Sequence, residues 1–259
     1  MNIVVCVKHV PDATANRTFR ASDNTVDRAG VDGLLSELDE YAVEEALKIA
    51  EAGDGEVTVL TMGPEPATDA IRKSLQMGAH KGVHVSDDAI HGSDAIATSL
   101  VLAAALKRLE YDLVLCGMAS TDGVMGLVPA MLAERLGIPA VTYAAELSID
   151  DDRVTVRRDS DTAVETVVAA LPAIISVTDQ INEPRYPSFK GIMAAKKKPV
   201  ETWTLADLEI DASQVGLDAA WTAVTSYEAR PPRSAGTVIS DEGDGGVQLV
   251  DFLAAQKFV

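Results

Sequence analysis

Through the first 140 residues, short runs of Val, Leu and Ile alternate with longer stretches whose apolar residues recur at helical spacing. That alternation predicts a parallel sheet covered by helices. The short runs are residues 3–7, 56–60, 82–85 and 112–116. Each is apolar nearly throughout, as strands buried on both faces must be. Between them, residues 39–52 place Tyr41, Ala42, Glu45 and Ile49 at helical offsets. A second helix is expected from a Thr68 cap to Met77, stopped by Gly78, and a third from a Ser93 cap to Arg108.

Beyond Pro139 the period shortens. Residues 141–149, 153–158 and 162–171 are β-branched and partly alternating, with Asp150-Asp151-Asp152 as a turn, which predicts an antiparallel appendage. Residues 173–178 return to a buried strand. A short basic helix-like piece then reaches Lys198, and residues 199–246 show little periodicity. Such a stretch makes no core of its own. Its Trp203, Leu205 and Trp221, with a closing helix over 247–259, carry enough apolar surface to predict packing on another subunit. The fold expected is α/β: a doubly wound, mostly parallel, Rossmann-like sheet with an antiparallel appendage and a C-terminal arm, divided into residues 1–184 and 185–259.

Charge and composition narrow the function. Lys plus Arg number 22 against 40 Asp plus Glu, a formal charge of −18, and such a surface repels nucleic acid and anionic lipid. No apolar run approaches the roughly 20 residues that span a bilayer, and residues 1–8 enter a strand directly, so the chain reads as cytoplasmic with no membrane insertion. Cys6 and Cys116 each sit in an apolar run, which suits buried thiols better than a disulfide or metal site.

Catalytic patterns are missing: no phosphate-binding G-x-x-x-x-G-K-[ST], no G-x-G-x-x-G after a strand, no G-x-S-x-G and no pair of His at ligand spacing. No catalytic residue and no metal is therefore expected. In a doubly wound sheet the ligand crevice lies beyond the carboxyl ends of the strands where strand order reverses, commonly the first and fourth. Those ends are Val7-Lys8-His9 and the glycine-rich segment from Gly117 to Gly126, followed by a helix over 128–136 whose first N–H groups suit a phosphate. Plain turn chemistry is the alternative. Lys190, Lys196, Lys197 and Lys198 stand out against the acidic chain beside Phe189 and a two-proline stretch, either as a solvated patch or as a partner anchor.

That same stretch carries a resemblance. Asn182-Glu183-Pro184-Arg185-Tyr186-Pro187, then Ile192-Met193-Ala194-Ala195-Lys196-Lys197-Lys198-Pro199, is similar to the hallmark of the electron-transfer flavoprotein small (beta) subunit. Val156-Arg157-Arg158-Asp159 through Glu165-Thr166 to Leu171-Pro172-Ala173-Ile174-Ile175-Ser176 resembles that family's signature. Val7-Lys8 with Val10-Pro11-Asp12, Ala42-Val43-Glu44-Glu45-Ala46, and Gly63-Pro64 ahead of the segment from Ala70 to Ala79 agree, so the resemblance runs nearly end to end.

The resemblance implies an electron-carrier subunit and not an enzyme. It implies a heterodimer with a large (alpha) subunit that holds most of the FAD, while this chain binds structural AMP. Electrons would arrive from acyl-CoA dehydrogenases, as in fatty acid oxidation, and leave towards a membrane quinone oxidoreductase. The family's AMP pocket maps to Cys6, Ser36, Glu37, Leu38, Asp39, Met62, Gly117, Asp122, Gly123, Val124, Met125, Gly126, Leu127 and Val128. Ala13 and Leu38 fall beside the flavin, Asp159 where a carboxylate restrains the flavin domain, and Phe189 at the dehydrogenase-docking anchor. Relatives often carry Asn, Gln and Thr at the positions of Gly126, Leu127 and Val128, which leaves backbone N–H groups for the AMP phosphate. Some relatives bind a second FAD in place of AMP, and no residue here separates the two. A universal-stress-like ATP- or AMP-binding module is the alternative of a different class.

Overall fold

A computed structural model describes residues 1–233 and 236–259. Its strands are β1 (Asn2–Cys6), β2 (His9–Pro11), β3 (Gly33–Leu35), β4 (Glu56–Met62), β5 (Lys81–Val85), β6 (Leu113–Gly117), β7 (Ala140–Asp150), β8 (Arg153–Asp159), β9 (Val164–Ala170), β10 (Ala173–Val177) and β11 (Val200–Trp203). The helices are α1 (Glu37–Glu51), α2 (Thr68–Met77), α3 (Ala95–Lys107), α4 (Val128–Leu136), α5 (Phe189–Ala195), α6 (Gly216–Ala219) and α7 (Gly245–Ala255). Nine strands form one sheet in the order β11-β5-β4-β1-β6-β10-β7-β8-β9, and β2 pairs with β3 separately.

From β11 to β7 every pairing is parallel, and β7-β8-β9 continues the same sheet as an antiparallel extension. The doubly wound sheet with its antiparallel appendage is thus as expected. Continuous apolar runs build the centre because both faces are covered. Ile3 and Val5 of β1 face a core shared with Leu47 of α1 and Ile71 of α2. Val4 points the other way, into a core with Val101 of α3 and Leu132 of α4.

Two helix starts differ from expectation. Asp94, not Ser93, caps α3, accepting from Ile96 N–H and Ala97 N–H at 3.0 Å, while the Ser93 hydroxyl donates to the Ile90 carbonyl at 2.7 Å. Thr68 lies inside α2, its hydroxyl turned back on the Glu65 carbonyl. The stretch after Pro199 also differs. Four residues form β11 on the sheet edge, and Leu205, Leu208 and Val215 are buried in the chain's own second core with Trp203 packed against it. A four-residue edge strand is too short to announce itself by periodicity. Trp221 is exposed. Residues Met1–Thr225 form one unit and Ser226–Val259 another; in the second, helix α7 has no buried residue.

Candidate functional site

Strand order reverses between β1 and β6, so the carboxyl ends of those strands frame a crevice. Three segments meet there: the residues after β1, the start of α1, and the loop that follows β6. Asp39, buried in the first turn of α1, joins all three. Its Oδ2 accepts the Lys8 N–H at 2.8 Å, and the Gly117 N–H is a second donor. Burial pushes its carboxyl up to about 7, against the pull of those two N–H groups and the Lys8 charge. Gly117 is required at this crossing, since a Cβ there would stand 2.5 Å from Asp39 Oδ1 and 2.8 Å from the Leu38 carbonyl oxygen.

Asp122 is the second fixed point, with a side chain only 3% exposed. Lys8 Nζ reaches its Oδ1 at 2.8 Å and Arg28 Nη2 its Oδ2 at 2.6 Å. Burial opposes ionisation, but the Lys8 and Arg28 charges with the hydrogen bonds hold the carboxyl well below the usual carboxylate range. Arg17 adds a bond from Nη1 to the Thr121 carbonyl at 3.0 Å. Farther on, Gly126 adopts φ +64°, and a Cβ at that position would lie 2.9 Å from Tyr143 Oη and 3.2 Å from the Met118 carbonyl oxygen. Helix α4 begins directly after this turn with no side chain capping its first N–H groups.

Two buried polar atoms here have no partner among the described residues: Ser36 Oγ, at the start of α1, and Arg28 Nη1. An N-cap serine normally accepts an N–H of its own helix; Ser36 does not. Cys6 and Cys116 are register partners on β1 and β6. A hydrogen bond with Cys6 and burial raise the Cys116 thiol well above its ordinary value, so it is an inert core group. Among the described residues no group of His, Cys, Asp and Glu could hold a metal.

Of the residues singled out from sequence, Cys6, Ser36, Glu37, Leu38, Asp39 and Gly117 gather at the crevice, and the loop from Asp122 to Val128 runs along its rim. Met62 ends β4, the neighbour of β1, on the same sheet edge. Ala13 is exposed in the excursion between β2 and β3. Asp159 ends β8, paired with Arg157 Nη2 at 3.3 Å, and Arg157 also reaches Glu146 at 3.1 Å. Arg17, Arg28 and Tyr143 carry no sequence signal for their places in the site; Lys8 stood out at a strand end and in the motif shared with Val10-Pro11-Asp12, but not as a partner of Asp122.

Phe189 lies away from the crevice, at the start of α5, on a loop fastened to α1 and α2. Arg185 grips Glu44 through Nε (2.7 Å) and Nη2 (3.0 Å), and Glu51 through Nη1 (2.6 Å) and Nη2 (3.0 Å). Asn182 Nδ2 donates to the Tyr41 carbonyl and to Glu45 Oε2, both at 3.0 Å. Ser188 caps α5 through Gly191 N–H, and Gly191 lies against the Gln76 carbonyl with no room for a Cβ. Lys198 Nζ closes the far end by donating to the Leu75 and Gly78 carbonyls at 2.9 and 3.0 Å. Held in this way, Tyr186 is 93% and Phe189 80% exposed.

A family model described as the electron transfer flavoprotein domain matches residues 23–208. The "Electron transfer flavoprotein subunit beta" of Mycobacterium tuberculosis (strain ATCC 25618 / H37Rv) is 50% identical over all of this chain and 99% of its own length. The protein of the same name from Megasphaera elsdenii is 36% identical over all of both chains. The "Caffeyl-CoA reductase-Etf complex subunit CarD" of Acetobacterium woodii is 36% identical over 93% of this chain and 92% of its own. The crevice at the strand-order reversal and the clamped loop therefore belong to a member of the electron transfer flavoprotein family, of the beta-subunit type.

Proposed function

We propose that this chain is the small subunit of a heterodimer whose larger (alpha) subunit holds most of the FAD, and that it is an electron-carrier subunit rather than an enzyme. Its own contributions are an adenine-nucleotide site, support for the flavin-bearing domain, and a docking loop for electron donors. FAD, when bound, supplies the redox chemistry. The residues of this chain bind and orient.

The crevice suits AMP. Ser36 Oγ and Arg28 Nη1 are buried donors without partners, and the uncapped start of α4 beyond Gly126 offers backbone N–H groups to a phosphate. Lys8 and Arg28 offset the two carboxylates nearby, so an anion there faces no net repulsion. Leu38 and Ala13 would stand beside the flavin. Asp159, at the end of β8, would pair with an arginine of the flavin domain and restrain it. Electrons would arrive from acyl-CoA dehydrogenases and leave towards a membrane-associated quinone oxidoreductase; among the described residues no helix is long and apolar enough to cross a membrane.

The observation that carries the reading is the clamped loop: a large aromatic, Phe189, 80% exposed on a helix packed closely against α2 at Gly191. Rigid exposed aromatics are the usual anchors of interfaces. The name of the Acetobacterium woodii relative, a subunit of a caffeyl-CoA reductase complex, is consistent with a partner that acts on a CoA thioester. In the heterodimer, Phe189→Ala should slow electron transfer from a reduced acyl-CoA dehydrogenase about tenfold, the equivalent of roughly 1.4 kcal/mol of docking energy, while FAD content stays the same. An unchanged rate would remove the assignment.

A further inference from the structure

Tyr143 breaks the pairing rule of its own strand. Between the pairs Val141–Ile175 and Ala144–Val177, two residues of β7, Thr142 and Tyr143, stand opposite the single Ser176 of β10. Such a β-bulge bends a strand and re-aims a side chain. Within it Tyr143 adopts φ +63°. That left-handed conformation suits Gly or Asn and strains a bulky aromatic residue, so it persists only where the surroundings hold it. The buried Ser176 does so: its Oγ accepts the Tyr143 N–H at 3.0 Å. Core packing does not account for the tyrosine, since 44% of it is exposed.

The bulge turns the ring towards the loop after β6. Val177, next to Ser176, is level with Gly117 at the end of β6, so Tyr143 stands at the carboxyl edge of the sheet. From there its hydroxyl reaches the glycine turn ahead of α4, where Oη lies 2.9 Å from the place a Cβ on Gly126 would take. The absence of a side chain at Gly126 makes room for it. The hydroxyl takes no hydrogen-bond partner among the described residues, and the first N–H groups of α4, just beyond the turn, have no side-chain cap. We propose that Tyr143 Oη donates a hydrogen bond to the phosphate bound at this turn, in the space that Gly126 leaves open, and that the pair sets the preference for AMP over adenosine. The inference rests on the AMP site proposed above and adds to it the side chain that holds the anion. An O–H aimed at a phosphate oxygen makes a short, charge-assisted bond, stronger than one between neutral groups.

The test uses the heterodimer with its large subunit, its bound AMP removed by exhaustive dialysis. Equilibrium dialysis then gives the affinities for radiolabelled AMP and, separately, radiolabelled adenosine. Tyr143→Phe keeps the ring and the bulge and removes only the hydroxyl. It should weaken AMP binding about tenfold and leave adenosine binding unchanged, whereas damage to the fold would weaken both. Gly126→Asn, combined with Tyr143→Phe, brings an amide donor on a side chain that tolerates left-handed backbone. With the phenol oxygen gone, the nearest neighbour of the new Cβ is the Met118 carbonyl oxygen at 3.2 Å, so the double variant should regain most of the AMP affinity. Gly126→Asn alone, whose Cβ would meet Tyr143 Oη, should bind AMP more weakly than the wild type. Flavin content and melting temperature of each variant check that the fold is intact. An AMP affinity unchanged in Tyr143→Phe, an equal loss for AMP and adenosine, or a double variant as weak as Tyr143→Phe overturns the proposal. A wild-type complex that takes up no labelled AMP would instead overturn the nucleotide reading on which it rests.

Discussion

Two loops of the molecule are pinned by ion triads of opposite sign. In the crevice one carboxylate, Asp122, is shared by two cations, Lys8 and Arg28. At the docking loop one cation, Arg185, is shared by two carboxylates, Glu44 and Glu51. Around Asp122 the central group is the confined one and both cations reach solvent; around Arg185 the central group is the more highly coordinated one, Glu51 reaches solvent and Glu44 is buried. The difference is in what the triad leaves exposed. Around Asp122 it leaves unsatisfied donors, Ser36 Oγ and Arg28 Nη1, turned to the inside of the molecule. Around Arg185 every guanidinium nitrogen is occupied and what remains outside is apolar, Tyr186 and Phe189. The same electrostatic device thus leaves unpartnered polar atoms inside at one place and exposed aromatics on a clamped loop at another.

Breaking the centre of each triad separates these roles. The largest effect is expected from Asp122→Ala, which strands two cations around a nearly buried position. It should cost about 3 kcal/mol of unfolding free energy, read from urea denaturation. The pH dependence has a definite sign. Asp122 is depressed in the fold, so its contribution is fully present above the unfolded carboxylate pKa near 4 and is lost as pH falls through the lower folded value. The variant should therefore show a shallower loss of stability in acid than the wild type. A variant as stable as wild type at pH 7 would mean that the triad is ornamental.

Arg185→Ala should be milder for the fold, about 2 kcal/mol, because Glu51 is exposed and only Glu44 is left buried beside it. Its effect on docking should exceed its effect on nucleotide content. Electron transfer from the dehydrogenase should slow as much as in Phe189→Ala, with AMP and FAD retained. Loss of both nucleotides together would show that the two triads do not act separately.

Asp39 gives a smaller but cleanly signed effect. Its folded value near 7 lies above the unfolded one, so the fold takes up a proton on it, and its ionisation erodes stability as pH rises from about 4 to about 7. Asp39→Asn, which keeps an acceptor for the Lys8 N–H, should flatten the stability curve over that window. A curve parallel to that of the wild type would show that the carboxyl ionises normally. The substitution smallest in atoms is Gly117→Ala, one methyl group, expected to cost about 1 kcal/mol or more by prising α1 from the end of β6. At Gly137, where a Cβ would meet nothing, the same substitution bears only the strain of its left-handed backbone. The comparison of the two tells crowding from strain.

Much of the scaffold was legible because it rests on local patterns. Residues 3–7 and 112–116 read as strands buried on both faces, and they are the central pair that frames the crevice. The antiparallel extension was visible in the shortened period after Pro139. What escaped was either short or distant. The β2–β3 pairing joins three residues on each side across an excursion of about twenty, and β11 offers only Val200 to Trp203. The triads are purely tertiary: Lys8 is 114 positions from Asp122, and Arg185 is 141 from Glu44. No spacing rule connects such residues. Lys190, Lys196, Lys197 and Lys198, by contrast, were conspicuous in sequence because they form a cationic run in an acidic chain.

The central claim is that this chain is one half of a nucleotide-bearing heterodimer, and the most direct measurement is the stoichiometry of nucleotides in that complex. The chain is co-expressed with its large subunit, the complex is purified, and an acid extract is resolved by chromatography with absorbance detection. Equimolar FAD and AMP per heterodimer is the predicted result. A chain that stays monomeric and never associates with a flavin-bearing subunit, or a complex that yields no adenine nucleotide besides FAD in a single equivalent, would contradict the account.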